Sequence, residues 1–292
     1  MLDHDFMALD APALMLGVLA ALSCSLLGNI LFFRRQVMLG DALSHSVFPG
    51  LVIAYLLGGS LAPPLMFLGA SAAVLCALLA IRLLETAGRV PSSAAMAIVL
   101  SIFFALGVFL LENQVGGGVH LDTEHALYGA LELSYWPEPF TWASLPLNIK
   151  SLGFLTILNI LLFFFFFKEI RLILFNSEYA GLAGFSPQIF ISGVLLLITL
   201  VLVGCFDSVG VILVLAFLVC PAACARMLCD RLEQQILYSA VIGISMAVFG
   251  YIAATRFPLW LGWEHSLSAA GVIALTLGLL QVTLMLWGPR RI

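Results

Sequence analysis

The chain has 292 residues, of which 63% are hydrophobic and only 10% charged, with a formal net charge of −4. Soluble domains are about half apolar and a quarter charged, so a mean hydropathy of +1.15 excludes a water-soluble enzyme. The 12 Lys and Arg residues offer no basic face to a nucleic acid. What remains is an all-α polytopic membrane bundle, with room for roughly eight to ten spans of about 20 residues each.

Nine apolar runs follow in order: Leu14–Phe33, Met38–Leu57, Pro63–Leu84, Pro91–Leu111, Leu147–Phe167, Gln188–Gly204, Val209–Leu228, Ile236–Thr255 and Leu267–Trp287. The first begins after an acidic segment, Met1–Asp10, and ends at Arg34-Arg35. It therefore lacks the positive start and small-residue cleavage site of a secretory signal, and is read as a retained span. Pro63-Pro64, Pro91 and Pro187 stand at first-turn positions, where a missing N–H costs nothing, and Ser186 is the expected N-cap of the span after it. Pro49-Gly50 is expected to break or bend the second span and free carbonyls there. The run Phe163–Phe167 covers every helix face, so part of it meets lipid. Trp136, Trp142, Trp260, Trp263 and Trp287 lie at span ends, where amphipathic rings prefer to sit. Leu121–Ser134 reads as a short surface helix in the longest outer connection, and Lys168–Pro187 as the longest inner one.

Orientation follows from the cations. With the N-terminus outside and the C-terminus cytoplasmic, ten of the 12 Lys and Arg fall on the cytoplasmic side and only Lys150 and Arg256 outside; this is the bias of inner loops. Eight spans would put later arginines on the wrong face. The outer side is acidic, which attracts cations, although acidic loops are ordinarily just solvated chain. Nothing resembles a separate soluble domain, so residues 1–292 are expected to form one transmembrane domain.

The residues that stand out chemically are Asp41 and His45, in Gly40-Asp41-Ala42-Leu43-Ser44-His45 of the second span. A carboxylate and an imidazole are expensive in hydrocarbon and normally face a bundle interior or a cavity. Four positions apart, they share one helix face. A hard oxygen beside a borderline nitrogen suits Mn(II), Fe(II) or Zn(II). An equally available reading has the two pair with each other or cap the helix end beside Arg34 and Arg35.

The stretch Met38–Ala54, MLGDALSHSVFPGLVIA, closely resembles the signature of the integral-membrane subunits of ABC-type zinc/manganese/iron importers. Pro91–Leu111 is similar to that family's fourth span, and Leu127–Ser134 (LYGALELS) to an outer segment. Glu178–Pro187 (EYAGLAGFSP) resembles its cytoplasmic loop, and Val209–Leu228 (VGVILVLAFLVCPAACARML) a later span. The resemblance implies a permease that dimerises with itself or a similar subunit, binds two cytoplasmic ATPase subunits and receives its ion from an extracytoplasmic metal-binding protein. It favours Asp41 and His45 as ligands on the ion's route, and a bacterial inner-membrane location. It also turns the 168–187 connection into the ATPase-coupling segment, with Glu178, Ala180 and Gly184 on a small helix that docks on the partner. The chain lacks a G-x-x-x-x-G-K-[ST] loop, so ATP is expected to be used by the partner and the chain itself is not expected to be an enzyme. No permanently bound cofactor is expected; the metal ion is the cargo.

Glu264 and His265 at the last span and Asp207 before the seventh are candidates for an outer gate. Adjacent residues on a helix point apart, so Glu264 and His265 are not expected to hold one ion together. His120, Asp122, Glu124 and His125 read as polar loop surface. The six cysteines, Cys24, Cys76, Cys205, Cys220, Cys224 and Cys229, lie in or at the ends of spans. That suggests no disulfide framework, and Cys220 and Cys224 are read as packing rather than as a soft-metal pair. The competing functions are a proton-coupled secondary metal transporter with Asp41 and His45 as relay, a vitamin or siderophore ABC permease, and an intramembrane hydrolase short of a further ligand.

Overall fold

The computed structural model describes residues 6–59, 63–112, 131, 134–138, 140–142, 144–182, 184, 186–260 and 267–287. Among the described residues there is no strand, and nine helices are long and apolar enough to cross a membrane. In chain order the helices are α1 (Ala11–Phe33), α2 (Met38–Gly58), α3 (Pro63–Thr86), α4 (Ser92–Leu110), α5 (Leu147–Phe175), the short α6 (Ser177–Leu182), α7 (Pro187–Val209), α8 (Val211–Leu228), α9 (Leu232–Trp260) and α10 (Ala269–Trp287). Each of the nine expected spans has its helix.

α1 is the hub, and its sequence explains why. Ala13, Ala20, Ala21, Ser23, Cys24, Ser25 and Gly28 are small and buried, so neighbouring backbones approach closely without a hydrophobic drive from lipid. α1 packs on α5, α7, α8 and α9, and 72% of its most apolar stretch is buried, against 22% for the peripheral α4 and α10. Gly28 lies against the backbone of Leu218 in α8, where a side chain has no room. A second group, α2 with α3 and α4, is equally tight: Gly50 of α2 and Gly69 of α3 meet backbone to backbone. α7 and α8 join the two groups, with Leu218 also seated on Gly40 of α2.

Polar side chains of α1 bind its neighbours. Asn29 donates to Ser239 Oγ (2.6 Å) and accepts from Gln235 (3.1 Å), both on α9. Ser23 Oγ donates to Thr156 Oγ1 at 2.8 Å, and Asn159 donates to the Ser23 carbonyl at 3.0 Å, both from α5. Away from water each such bond adds about 1 kcal/mol to helix association.

Three expectations are corrected. α5 continues through Lys168 to Phe175, with only a bend at Phe166 (φ −109°, ψ 19°), so the inner connection is far shorter than 168–187. The reason is amphipathic spacing: Ile170 and Ile173 are buried, while Arg171 turns outward and pairs with Glu233 of α9 at 3.0 Å. Pro49-Gly50 does not interrupt α2, which is helical throughout Met38–Gly58. Ser186 occupies the N-cap position of α7, but its side chain makes no capping bond there; Pro187 at the first position starts the helix by lacking an N–H to satisfy. The Phe run behaves as expected, with Phe163 buried and Phe164 and Phe165 exposed. The surface helix expected at 121–134 lies almost wholly outside the described residues.

Candidate functional site

The turn Arg34–Val37 reverses the chain between α1 and α2, with Arg35 in the left-handed region (φ 56°). Asp41 therefore enters the first turn of α2, where the exposed N–H groups of a helix start favour a negative charge. At 1.5 Å per residue, Asp41 lies about 5 Å and His45 about 10 Å along the helix. The pair thus sits toward the end of the bundle that carries Arg34, Arg82 and Arg226, not at mid-span.

His45 Nε2 stands 3.6 Å from Asp41 Oδ1, and the two side chains keep 30% and 42% of their surface exposed, respectively. At that distance the two face each other as an ion pair beyond hydrogen-bond range, so the reading in which they pair with each other is compatible with the structure. The alternative of local capping fails on the same geometry: Val37 is the N-cap and receives no side-chain bond, and the Arg34 guanidinium is turned to Gln36, at 2.9 Å. The imidazole is braced on its other side by Phe104 of α4, edge to face at 5.5 Å. Phe104 in turn leans on Phe48, one turn further along α2.

Neighbouring hydroxyls are already engaged. Ser44 Oγ donates to the Gly40 carbonyl and Ser46 Oγ to the Ala42 carbonyl, at 2.6 and 2.7 Å. Pro49 contributes differently. With no N–H, it leaves the carbonyl of His45, four residues earlier, without its helical donor. Asp41, His45 and this carbonyl together present oxygen and nitrogen acceptors along one side of α2, a donor set suited to a divalent first-row cation. Among the described residues no third His, Cys, Asp or Glu joins them.

Of the other candidates, Glu264, His265, His120, Asp122, Glu124 and His125 lie outside the described residues. Asp207 falls in the last turn of α7, at the end opposite Asp41, with its side chain outside the description. The short helix anticipated between two spans is α6. Asn176, which the sequence reading passed over, starts it: its Oδ1 accepts from Tyr179 N at 3.0 Å. Ala180 is fully buried, while Tyr179 is 58% and Leu182 87% exposed. Gly184 has φ +87°, a conformation that only glycine adopts freely, and it turns the chain back toward α7. Glu178 belongs to α6, with its side chain outside the description. Cys224 is buried and Cys220 half-buried in α8, and both are free thiols.

The sequence of the ABC 3 transport family matches residues 4–287 of the chain. The manganese transport system membrane protein MntD of Bacillus subtilis is 37% identical over 287 residues, covering 97% of this chain and 93% of its own length. The zinc transport system membrane protein TroD of Treponema pallidum is 33% identical over 278 residues, covering 94% of this chain and 73% of its own. Among solved structures, PsaBC from Streptococcus pneumoniae, in complex with a Fab, superposes with a TM-score of 0.76 at 25% identity, covering 96% of this chain and 92% of that one.

Proposed function

The chain belongs to the ABC 3 transport family, and from that premise we propose that it is the permease of an ATP-binding-cassette importer that carries a divalent transition metal ion inward. Manganese and zinc are the leading cargoes, as the names of its relatives suggest, and iron falls within the same ligand chemistry. The observation that carries the reading is the pair Asp41 and His45, one helical turn apart, partly exposed and held only by each other at 3.6 Å.

A transport site has to replace part of the ion's hydration and still release it. Two protein ligands from one chain, with waters completing the shell, meet both needs. A second permease subunit, alike or similar, facing the first across the pathway would double the set to four. Asp207, Glu264 and His265 are assigned to the outer gate, where negative charge raises the local concentration of the cation.

The energy source is a separate pair of ATPase subunits, since the sequence contains no phosphate-binding loop of its own. α6 is the docking element: Ala180 anchors it to the bundle, Tyr179 and Leu182 are presented outward, and Gly184 permits the tight return to α7. Glu178 is assigned to the same contact. An extracytoplasmic metal-binding protein delivers the ion to the acidic outer face. The protein is a multi-pass membrane protein. Its bacterial relatives support a bacterial inner membrane, and the ten-to-two distribution of its 12 cations supports an N-terminus outside.

The test is uptake of radioactive manganese and zinc by cells whose only such importer carries Asp41→Ala or His45→Ala, with membrane insertion checked by immunoblot. Uptake is expected to fall to background at normal insertion. Unchanged uptake of every divalent ion in both variants would remove the two residues from the pathway.

A further inference from the structure

A recess of mixed polar and apolar lining opens at the same end of the bundle, on the other side of α2. Arg34 and Gln36 from the α1–α2 turn, Arg82 and Glu85 from the end of α3, and Gln188 from the first turn of α7 line a cleft of about 140 Å³, against Leu39. Leu39 and Asp41 are two positions apart, about 200° around the helix, so the recess and the metal-ligand pair face away from each other. The volume equals about four or five waters, enough for one phosphodiester group.

The charges in it are incompletely matched. Burial and the neighbouring Arg82 push the Arg34 guanidinium below its usual range, and Glu85 only partly opposes them. Two guanidiniums against one carboxylate leave one net positive charge. Oε1 of Glu85 is buried and has no hydrogen-bond partner; a buried acceptor left unpaired is costly and asks for a donor. A shallow apolar groove between α1, α5 and α7, walled by Ile30, Ile173 and Phe190, adjoins the recess. The two share Arg34, Ile191 and Leu195. Arg34 thus marks the junction of a charged recess with an apolar surface at the edge of the membrane-spanning region.

We propose that this junction seats one anionic phospholipid with a hydroxylated headgroup, phosphatidylglycerol being the simplest. The phosphodiester lies between Arg34 and Arg82, a headgroup hydroxyl donates to Glu85, and the acyl chains stay in the surrounding bilayer, since the adjoining groove, at about 10 Å³, is too small to hold them. The single negative charge matches the net charge of the recess, and basic recesses between spans are suited to acidic lipid headgroups. A zwitterionic lipid would bring an added ammonium beside two guanidiniums. The lipid would brace the α1–α2 turn against the start of α7, close to α6.

The test is native mass spectrometry of the full-length permease in neutral detergent, incubated separately with phosphatidylglycerol and phosphatidylethanolamine. Phosphatidylglycerol is expected to be retained preferentially, and Arg34→Gln with Arg82→Gln to cut that retention about tenfold or more, leaving phosphatidylethanolamine unaffected. Arg34→Lys keeps the charge and should hold most of the retention; if the double variant unfolds, Arg82→Gln alone is compared with Arg34→Lys. Equal retention of both lipids, retention indifferent to the arginines, or displacement of the lipid by inorganic phosphate would overturn the proposal. None of these readouts involves metal transport, so their failure leaves the importer reading standing.

Discussion

α1 and α2 are both apolar spans interrupted by polar side chains, and they treat those side chains in opposite ways. In α1, Ser23 and Asn29 are buried and bonded across to α5 and α9. In α2, Ser44 and Ser46 are closed onto their own backbone, while Asp41 and His45, the two most costly groups, stay partly exposed and face only each other, 3.6 Å apart, with no bond to another helix. Polar atoms in hydrocarbon take any partner they can reach. Those of α1 therefore read as joints between helices, and the pair in α2, bonded to no other helix, is free to take the ligand role proposed for it. Polarity alone does not separate the two roles; partnership does.

The contrast breaks most visibly at Gly28, on the joint side. Gly28→Leu would drive a side chain into the backbone of Leu218, which cannot yield as a side-chain end would. A cost of about 3 kcal/mol or more is expected, read as loss of monodisperse protein in size-exclusion chromatography after detergent extraction. Recovery of normal yield would show that α1 and α8 can separate without penalty. Next is Asn29→Leu, which strands Gln235 and takes from Ser239 its bond to α1, leaving that hydroxyl only the carbonyl of Ile236. A loss of about 1–2 kcal/mol should lower the thermal midpoint of the purified protein, and an unchanged midpoint would deny α1 its joint. The smallest effect belongs to Arg171 and Glu233, whose side chains are more than half exposed. A double-mutant cycle with alanine should give a coupling below about 1 kcal/mol; a larger value would make the extension of α5 a third rigid joint.

The spans were legible because apolar runs of the right length can do little else in a chain this poor in charge. The candidate pair was legible for a related reason: Asp41 and His45 are conspicuous in hydrocarbon, and their spacing of four fixes a shared face. What stayed hidden depends on neighbours distant in sequence. Lys168 and Arg171 look like a span's end, and only the burial of Ile170 and Ile173, with Glu233 opposite Arg171, shows why α5 continues. Pro49 looks like a helix breaker, yet α2 stays helical through it, with Pro49 packed against Gly107 of α4 and Gly50 in close contact with Gly69. Asn29 could have been noticed as an amide in an apolar run, but its partners Gln235 and Ser239 lie more than 200 positions away. The recess around Arg34 needed four elements to be brought together before it existed.

The most direct trial of the contrast is Asp41→Asn in purified permease, reconstituted with its ATPase into vesicles, with thermal midpoint and manganese uptake measured on the same preparation. Removing the charge from a half-exposed carboxylate, held only by the helix start and by His45, should cost less than about 1 kcal/mol of stability and abolish uptake. A lowered midpoint with uptake retained would mean that Asp41 is one more joint, and that the route of the ion lies elsewhere.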